Sequence, residues 1–315
     1  MVSLKNKMRS EIYSIFLALL LILITGTAIN FLQLKKKPDH QGYLEIQTRI
    51  YSWWAIFLVG LVAFITAPWG LALIFAIVAT LGLHEILRVV RSRNEYSNLI
   101  ALFYLAPAIQ YYYATRADSI VPFVLIPLAA YMAVPAFSVF LRSPTNFLGA
   151  VSSIQWTLMV PVFCLGHFIF LAGGQHPNDY FNPVTALIIL VLTQLNDVLQ
   201  FIWGKLFGKN KIIPSMSPNK TWEGFLGGVG SLAILSALIL PRLLPIPPST
   251  GFLLGGLISG GGFVGDIVLS AVKRDFGVKD FSSIIPGHGG IMDRFDSLTF
   301  TAPLAYYFLR IVLNS

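Results

Sequence analysis

Ten apolar runs, each close to the length needed to cross a bilayer, recur along the chain and leave little room for any other kind of fold. A helix needs about 20 apolar residues to span a hydrocarbon core of roughly 30 Å. Runs of that quality occupy residues 12–34, 51–67, 69–89, 98–114, 120–141, 147–171, 184–203, 225–244, 252–272 and 298–313. Charged residues make up only 11% of the 315, less than half of the ~25% found in soluble domains. The single Cys164 excludes a disulfide scaffold, and 56% apolar content excludes a disordered chain. The pattern predicts an all-α, polytopic transmembrane helical bundle of about nine or ten spans with no separate soluble domain.

Pro68 divides the second run from the third as a tight hairpin with almost no loop. The first run, behind Lys5, Lys7 and Arg9, has the look of a signal peptide, but its apolar stretch is too long for one. It reads as an uncleaved anchor. Net charge is +8, which in a soluble protein would suggest nucleic acid. In a membrane chain, Lys and Arg in short loops instead set topology and face anionic lipid, so no nucleic-acid partner is expected. Most cations fall in the odd-numbered loops, among them Lys35, Arg49, Arg88, Arg142, Lys205, Lys209, Lys273 and Arg274, which the positive-inside rule places in the cytoplasm. The chain divides into an anchor span with a basic loop (1–48), a scaffold of membrane spans (49–180) and a half that carries the chemistry (181–315).

Carboxylates inside apolar segments are rare and usually functional, because insertion at mid-membrane costs about 2.5–3.5 kcal/mol. Asp197 follows one such run, and Asp266 sits well inside another. Around Asp266 the pairs Gly256–Gly260 and Gly261–Gly265, with Gly224–Gly228 in the preceding span, have the spacing that lets helices approach closely. Such packing suits a narrow polar cavity between helices or a homodimer interface equally well.

The segment 270–296 is densest in chemistry. Lys273, Arg274, Lys279 and Arg294 are cations suited to phosphate. Asp275, Asp280, Asp293 and Asp296 are hard oxygen ligands that favour Mg²⁺. If 291–297 is helical, Asp293 and Asp296 share a face and would bind the same ion. Gly287, Gly289 and Gly290 would bring backbone amides near a phosphate. In a second segment, Ser217 and Pro218 would open a turn, and Thr221 would cap a helix starting at Trp222, an anion site beside Lys220 and Lys209.

Other patterns fail. Residues 204–210 lack Walker A spacing, and His84-Glu85 has Arg88 where a zinc protease needs its second His. Asp275-Phe276-Gly277 has no companion kinase loop.

Ser270, Val272, Lys273, Arg274, Lys279, Asp280, Ser282, Ile285, Pro286, His288, Gly289, Gly290, Ile291, Asp293, Arg294, Phe295 and Asp296, at their spacing, resemble the signature of the phosphatidate cytidylyltransferase (CDP-diacylglycerol synthase) family. Ser217 through Gly224 resembles that family's second motif, and Arg49 and Glu85 fit its N-terminal hairpin more weakly. The similarity covers roughly Arg49 to the C-terminus. One departure stands out: Gln200 and Phe201 replace the Ala and Tyr that usually follow the Asp at position 197, which marks a divergent subgroup.

The resemblance implies that phosphatidate and CTP react to CDP-diacylglycerol and pyrophosphate with Mg²⁺, in phospholipid biosynthesis at a bacterial inner membrane. The site would face the cytoplasm. Two polyanions must meet, so charge stabilisation and positioning would do most of the work. Asp266 and Asp293 would be the main metal ligands, with Asp197 and Asp296 next, and two ions about 4 Å apart would clamp the attacking and leaving oxygens. Lys273, Arg274 and Lys279, with Ser217, Lys220, Thr221, His288 and Arg294, would hold the phosphates of nucleotide and lipid. Three alternatives stay open: a cytidylyltransferase for an isoprenoid-type lipid phosphate, a transporter, and a partner protein without activity.

Overall fold

The computed structural model describes residues 2–91, 103–116, 121–141, 147–173 and 180–314. It is almost entirely helical. Helices α1 (Val2–Lys36), α2 (Gln41–Ile65) and α3 (Trp69–Arg91) pack as successive neighbours, with α2 turning into α3 across Thr66–Pro68. Then come α4 (Leu105–Arg116), α5 (Val121–Leu141) and α6 (Phe147–Leu158), which continues through a π-helical segment (Met159–Cys164) into α7 (Leu165–Leu171). Pro161 lies in that widened segment, where a residue with no N–H to donate breaks the regular ladder. The chain ends with α8 (Pro183–Phe207), a two-stranded antiparallel hairpin β1 (Lys211–Ile213) and β2 (Ser217–Thr221), then α9 (Trp222–Leu243), α10 (Pro248–Asp275) and α11 (Met292–Asn314).

Local chemistry explains several of these ends. Asn182 accepts the N–H groups of Val184 and Thr185 at the start of α8, with Pro183 in the first helical position. Thr221 caps α9 by accepting the Gly224 N–H at 3.1 Å, as its sequence position predicts. A buried apolar core runs through the bundle, with Phe75 stacked on Phe168 at 4.4 Å, while Leu58, Leu73, Leu148 and Leu226 face outward. In lipid such outward side chains are solvated, and helix association relies on close fit instead.

Each of the ten apolar runs falls largely on a helix over its described residues. Eight of the described helices are long and apolar enough to cross a membrane. The exceptions are the short α4 and α11, whose first two turns carry Asp293, Arg294 and Asp296 and which carries Arg310 further along. The helices also outrun the apolar runs at their polar ends: α2 begins at Gln41 and α10 ends at Asp275. Arg49, Lys205, Lys273 and Arg274, expected in loops, are therefore helical, since long cationic side chains reach water from a continuing helix. Ser217 and Pro218 form a strand rather than opening a turn. Pro218 is tolerated because a two-stranded ribbon has only edges. The side chains of Lys5 and Lys7, and all of Arg142 and 98–102, lie outside what the structure describes.

Glycine contacts divide the predicted pairs. A Cβ on Gly261 or Gly265 would collide with α11, at 2.6 Å from Leu304 Cδ1 and from the Asp296 carbonyl oxygen respectively. One on Gly255 would meet Ser236 of α9. Gly256 and Gly260 contact nothing, so their spacing pair is not a packing seam among the described residues.

Candidate active site

The C-terminal halves of α8 and α10, the N-terminal end of α11 and the hairpin strand β2 that leads into α9 meet at one end of the bundle. The three helices each contribute a carboxylate, and β2 contributes a lysine. Asp266 of α10 is close enough to interact electrostatically with both Asp197 of α8 and Asp296 of α11. Gly265 makes this approach feasible, since any side chain there would strike the Asp296 backbone. Ser297 Oγ turns toward the Asp197 carboxylate at 3.4 and 3.5 Å, and Ser297 N–H donates to Asp296 Oδ1 at 2.8 Å. Lys220, brought in by β2, sits with its ammonium 2.7 Å from Asp266 Oδ2 and 3.5 Å from Gln200 Oε1.

Asp197, Gln200, Lys211, Asn219, Lys220 and Thr221 line an open cleft, whose walls include Phe201 and Phe225. Ser217 does not line it; this residue pairs with Ile213 at the far end of β2. A second open cleft lies over the loop between α10 and α11 and is lined by Lys279, Asp280, His288, Arg294 and Arg49. His288 keeps its imidazole below the usual 6.5, chiefly through desolvation, with Arg294 and Arg49 adding to the effect.

Asp293 has a different setting. Its Oδ1 accepts the Lys273 ammonium at 2.7 Å, and its Oδ2 accepts the backbone N–H groups of Phe281 (3.0 Å) and Gly290 (2.9 Å). Arg274 likewise holds the chain, donating to the Val278 carbonyl at 3.1 Å just past α10. The turn at the loop's centre needs Gly287 and Gly289, whose φ angles of 73° and 83° disfavour any side chain.

Glu85 of α3 is the residue whose role sequence reasoning missed. It is 1% exposed. Its carboxylate accepts Ser282 Oγ at 2.5 Å and the N–H groups of Ile291 (2.8 Å) and Met292 (2.9 Å). A carboxylate there satisfies orphan donors and complements the dipole at the start of α11. The available signal was an acidic residue inside an otherwise apolar run.

Among the described residues, no three Asp, Glu, His or Cys side chains form a ready-made metal cage. Mg²⁺ does not demand one: it is held by one or two carboxylates, waters and substrate phosphates. The hard oxygens of Asp266, Asp296 and Asp197 fit that chemistry, and the Lys220 ammonium now neutralises Asp266.

Apolar helices that gather partly buried carboxylates at one end, flanked by two clefts carrying Lys and Arg, define an integral membrane protein built to handle anionic groups. Residues 47–312 match the cytidylyltransferase family model, and the chain belongs to that family. It is 36% identical over 296 residues to a protein of Escherichia coli (strain K12) called "uncharacterized protein YnbB", covering 92% of this chain and 95% of that one. It is 34% identical over 187 residues to a phosphatidate cytidylyltransferase of Bacillus subtilis (strain 168), covering 59% of this chain and 68% of the relative. With the phosphatidate cytidylyltransferase of Mycobacterium bovis it shares 36% identity over 171 residues, and the match spans 54% of each protein.

Proposed function

We propose that the protein transfers the cytidylyl group of CTP to phosphatidate, releasing pyrophosphate and forming CDP-diacylglycerol, with the site on the cytoplasmic side of a bacterial inner membrane. The observation that carries this reading is the Lys220–Asp266 pair beside Asp197 and Asp296, with a cationic cleft on either side. Relatives named phosphatidate cytidylyltransferase support the choice of lipid.

In this reading a phosphate oxygen of the lipid attacks the α-phosphorus of CTP, the bond to the bridging oxygen breaks, and pyrophosphate leaves with that electron pair. The attacking oxygen is already anionic, so no strong general base is required. Asp266, Asp296 and Asp197 would hold Mg²⁺, which when bound supplies positive charge between the two reactants. Asp293, expected from sequence as a main ligand, is assigned instead to holding the loop, because Lys273 and two amides already occupy its oxygens. Lys220 and Lys211 face the lipid phosphate. Lys279, His288 and Arg294 face the nucleotide. Phe201 and Phe225 give the first cleft an apolar wall against which acyl chains remain solvated.

The test is direct. Purified protein in detergent, given CTP, Mg²⁺ and phosphatidate, should release pyrophosphate and form CDP-diacylglycerol in equal amounts. Transfer to a polyprenyl phosphate but not to phosphatidate would reassign the lipid, and no transfer to any lipid phosphate would end the proposal.

A further inference from the structure

The cleft over the α10–α11 loop contains a cation from the other half of the chain. We infer that Arg49 of α2 binds the pyrophosphate end of the nucleotide; this rests on the cytidylyl transfer proposed above.

Three contacts fasten the polar start of α2 onto the loop. Ser52 Oγ donates to the Pro286 carbonyl at 2.8 Å. The Trp53 ring meets His288 edge-on at 5.7 Å between centroids. A Cβ on Gly287 would lie 3.0 Å from Arg49 Cγ, so the arginine stem lies against the glycine turn. The stem is thereby held against the loop, and Arg49 lines the cleft together with Lys279, His288 and Arg294.

Only Glu45 holds that guanidinium among the contacts described, at 2.5 Å, with the two side chains 51% (Arg49) and 61% (Glu45) exposed. An exposed pair one helical turn apart is weak. A phosphate, which accepts the planar fork in bidentate fashion, displaces it readily. Among the residues lining the cleft, Arg49, Lys279 and Arg294 stand against the carboxylate of Asp280, and with Glu45 displaced this leaves an excess of positive charge suited to a polyphosphate. A lipid monoester phosphate carries at most two charges and needs apolar walls, which the other cleft supplies.

Arg49→Met keeps the stem against Gly287 and removes the charge; Arg49→Lys restores charge without the fork. Arg49→Met is expected to raise KM for CTP and the inhibition constant for pyrophosphate at least tenfold, leaving KM for phosphatidate within twofold. Arg49→Lys should recover part of both losses. Unchanged constants for CTP and pyrophosphate, or a matching rise in the lipid KM, would overturn the inference. Calorimetric titration of the resting protein with pyrophosphate separates the two readings. If the wild type shows no transfer yet loses pyrophosphate affinity in Arg49→Met, the anion site stands and the reaction falls. Equal affinity in both proteins removes the site.

Discussion

The Lys273 ammonium lies 2.7 Å from Asp293 Oδ1, with side chains only 10% and 2% exposed, and so ties the last turns of α10 to the first turn of α11. Between those two residues runs the loop that carries Lys279, His288 and the glycine turn. The pair thus sets where the loop's cations stand relative to Asp266 and Asp296.

Breaking a buried pair on one side strands the other charge, at a cost of about 3–5 kcal/mol. Lys273→Met and Asp293→Asn should therefore lower the thermal unfolding midpoint in detergent, and activity should fall in step with folded protein. An Asp293→Asn protein that unfolds like wild type yet is inactive would return Asp293 to the reacting centre.

Asp266→Asn and Asp296→Asn should behave in the opposite way. Both side chains are only partly buried, and both face other carboxylates. Transfer should fall by about 100-fold or more, on the scale of losing a group that stabilises transition-state charge, with little change in the unfolding midpoint. Chelating Mg²⁺ from the wild type should have the same effect, reversed by adding it back.

Helix spacing gives a paired comparison on α10. Gly265→Ala forces a methyl to within 2.6 Å of the Asp296 carbonyl oxygen, whereas Gly260→Ala meets open space. Overpacking of this kind costs about 1–3 kcal/mol. The first variant should lose stability and most activity by moving Asp296 away from Asp266. The second should match wild type in both measurements.

His288 predicts the direction of a pH effect. Its folded value lies below the ordinary 6.5 because desolvation, Arg294 and Arg49 disfavour the imidazolium. As pH falls, the unfolded chain takes up that proton first, so its contribution to stability is full above about 6.5 and declines below it. Melting curves between pH 8 and 5 should show this fall in the wild type and a smaller one in His288→Gln.

The helical bundle was readable from residue order because a bilayer requires length and apolarity in one contiguous stretch, which is a local property. The same holds for the cations and carboxylates of 270–296 and for Thr221 as a cap, where spacing along the chain carries the chemistry. Other features depend on helix rotation and on contacts between distant residues. Gly255 packs on α9 while its neighbour Gly256 meets nothing among the described residues, a difference that spacing alone does not resolve. Glu85 reaches Met292 across more than 200 positions, and Ser52 reaches Pro286 across a similar gap. Asp293 and Asp296 follow one another on one helix, yet Lys273 and two amides claim the first, and the second faces Asp266. Residue type states what a carboxylate is able to bind; the neighbours that folding brings within 3 Å decide which partner it takes.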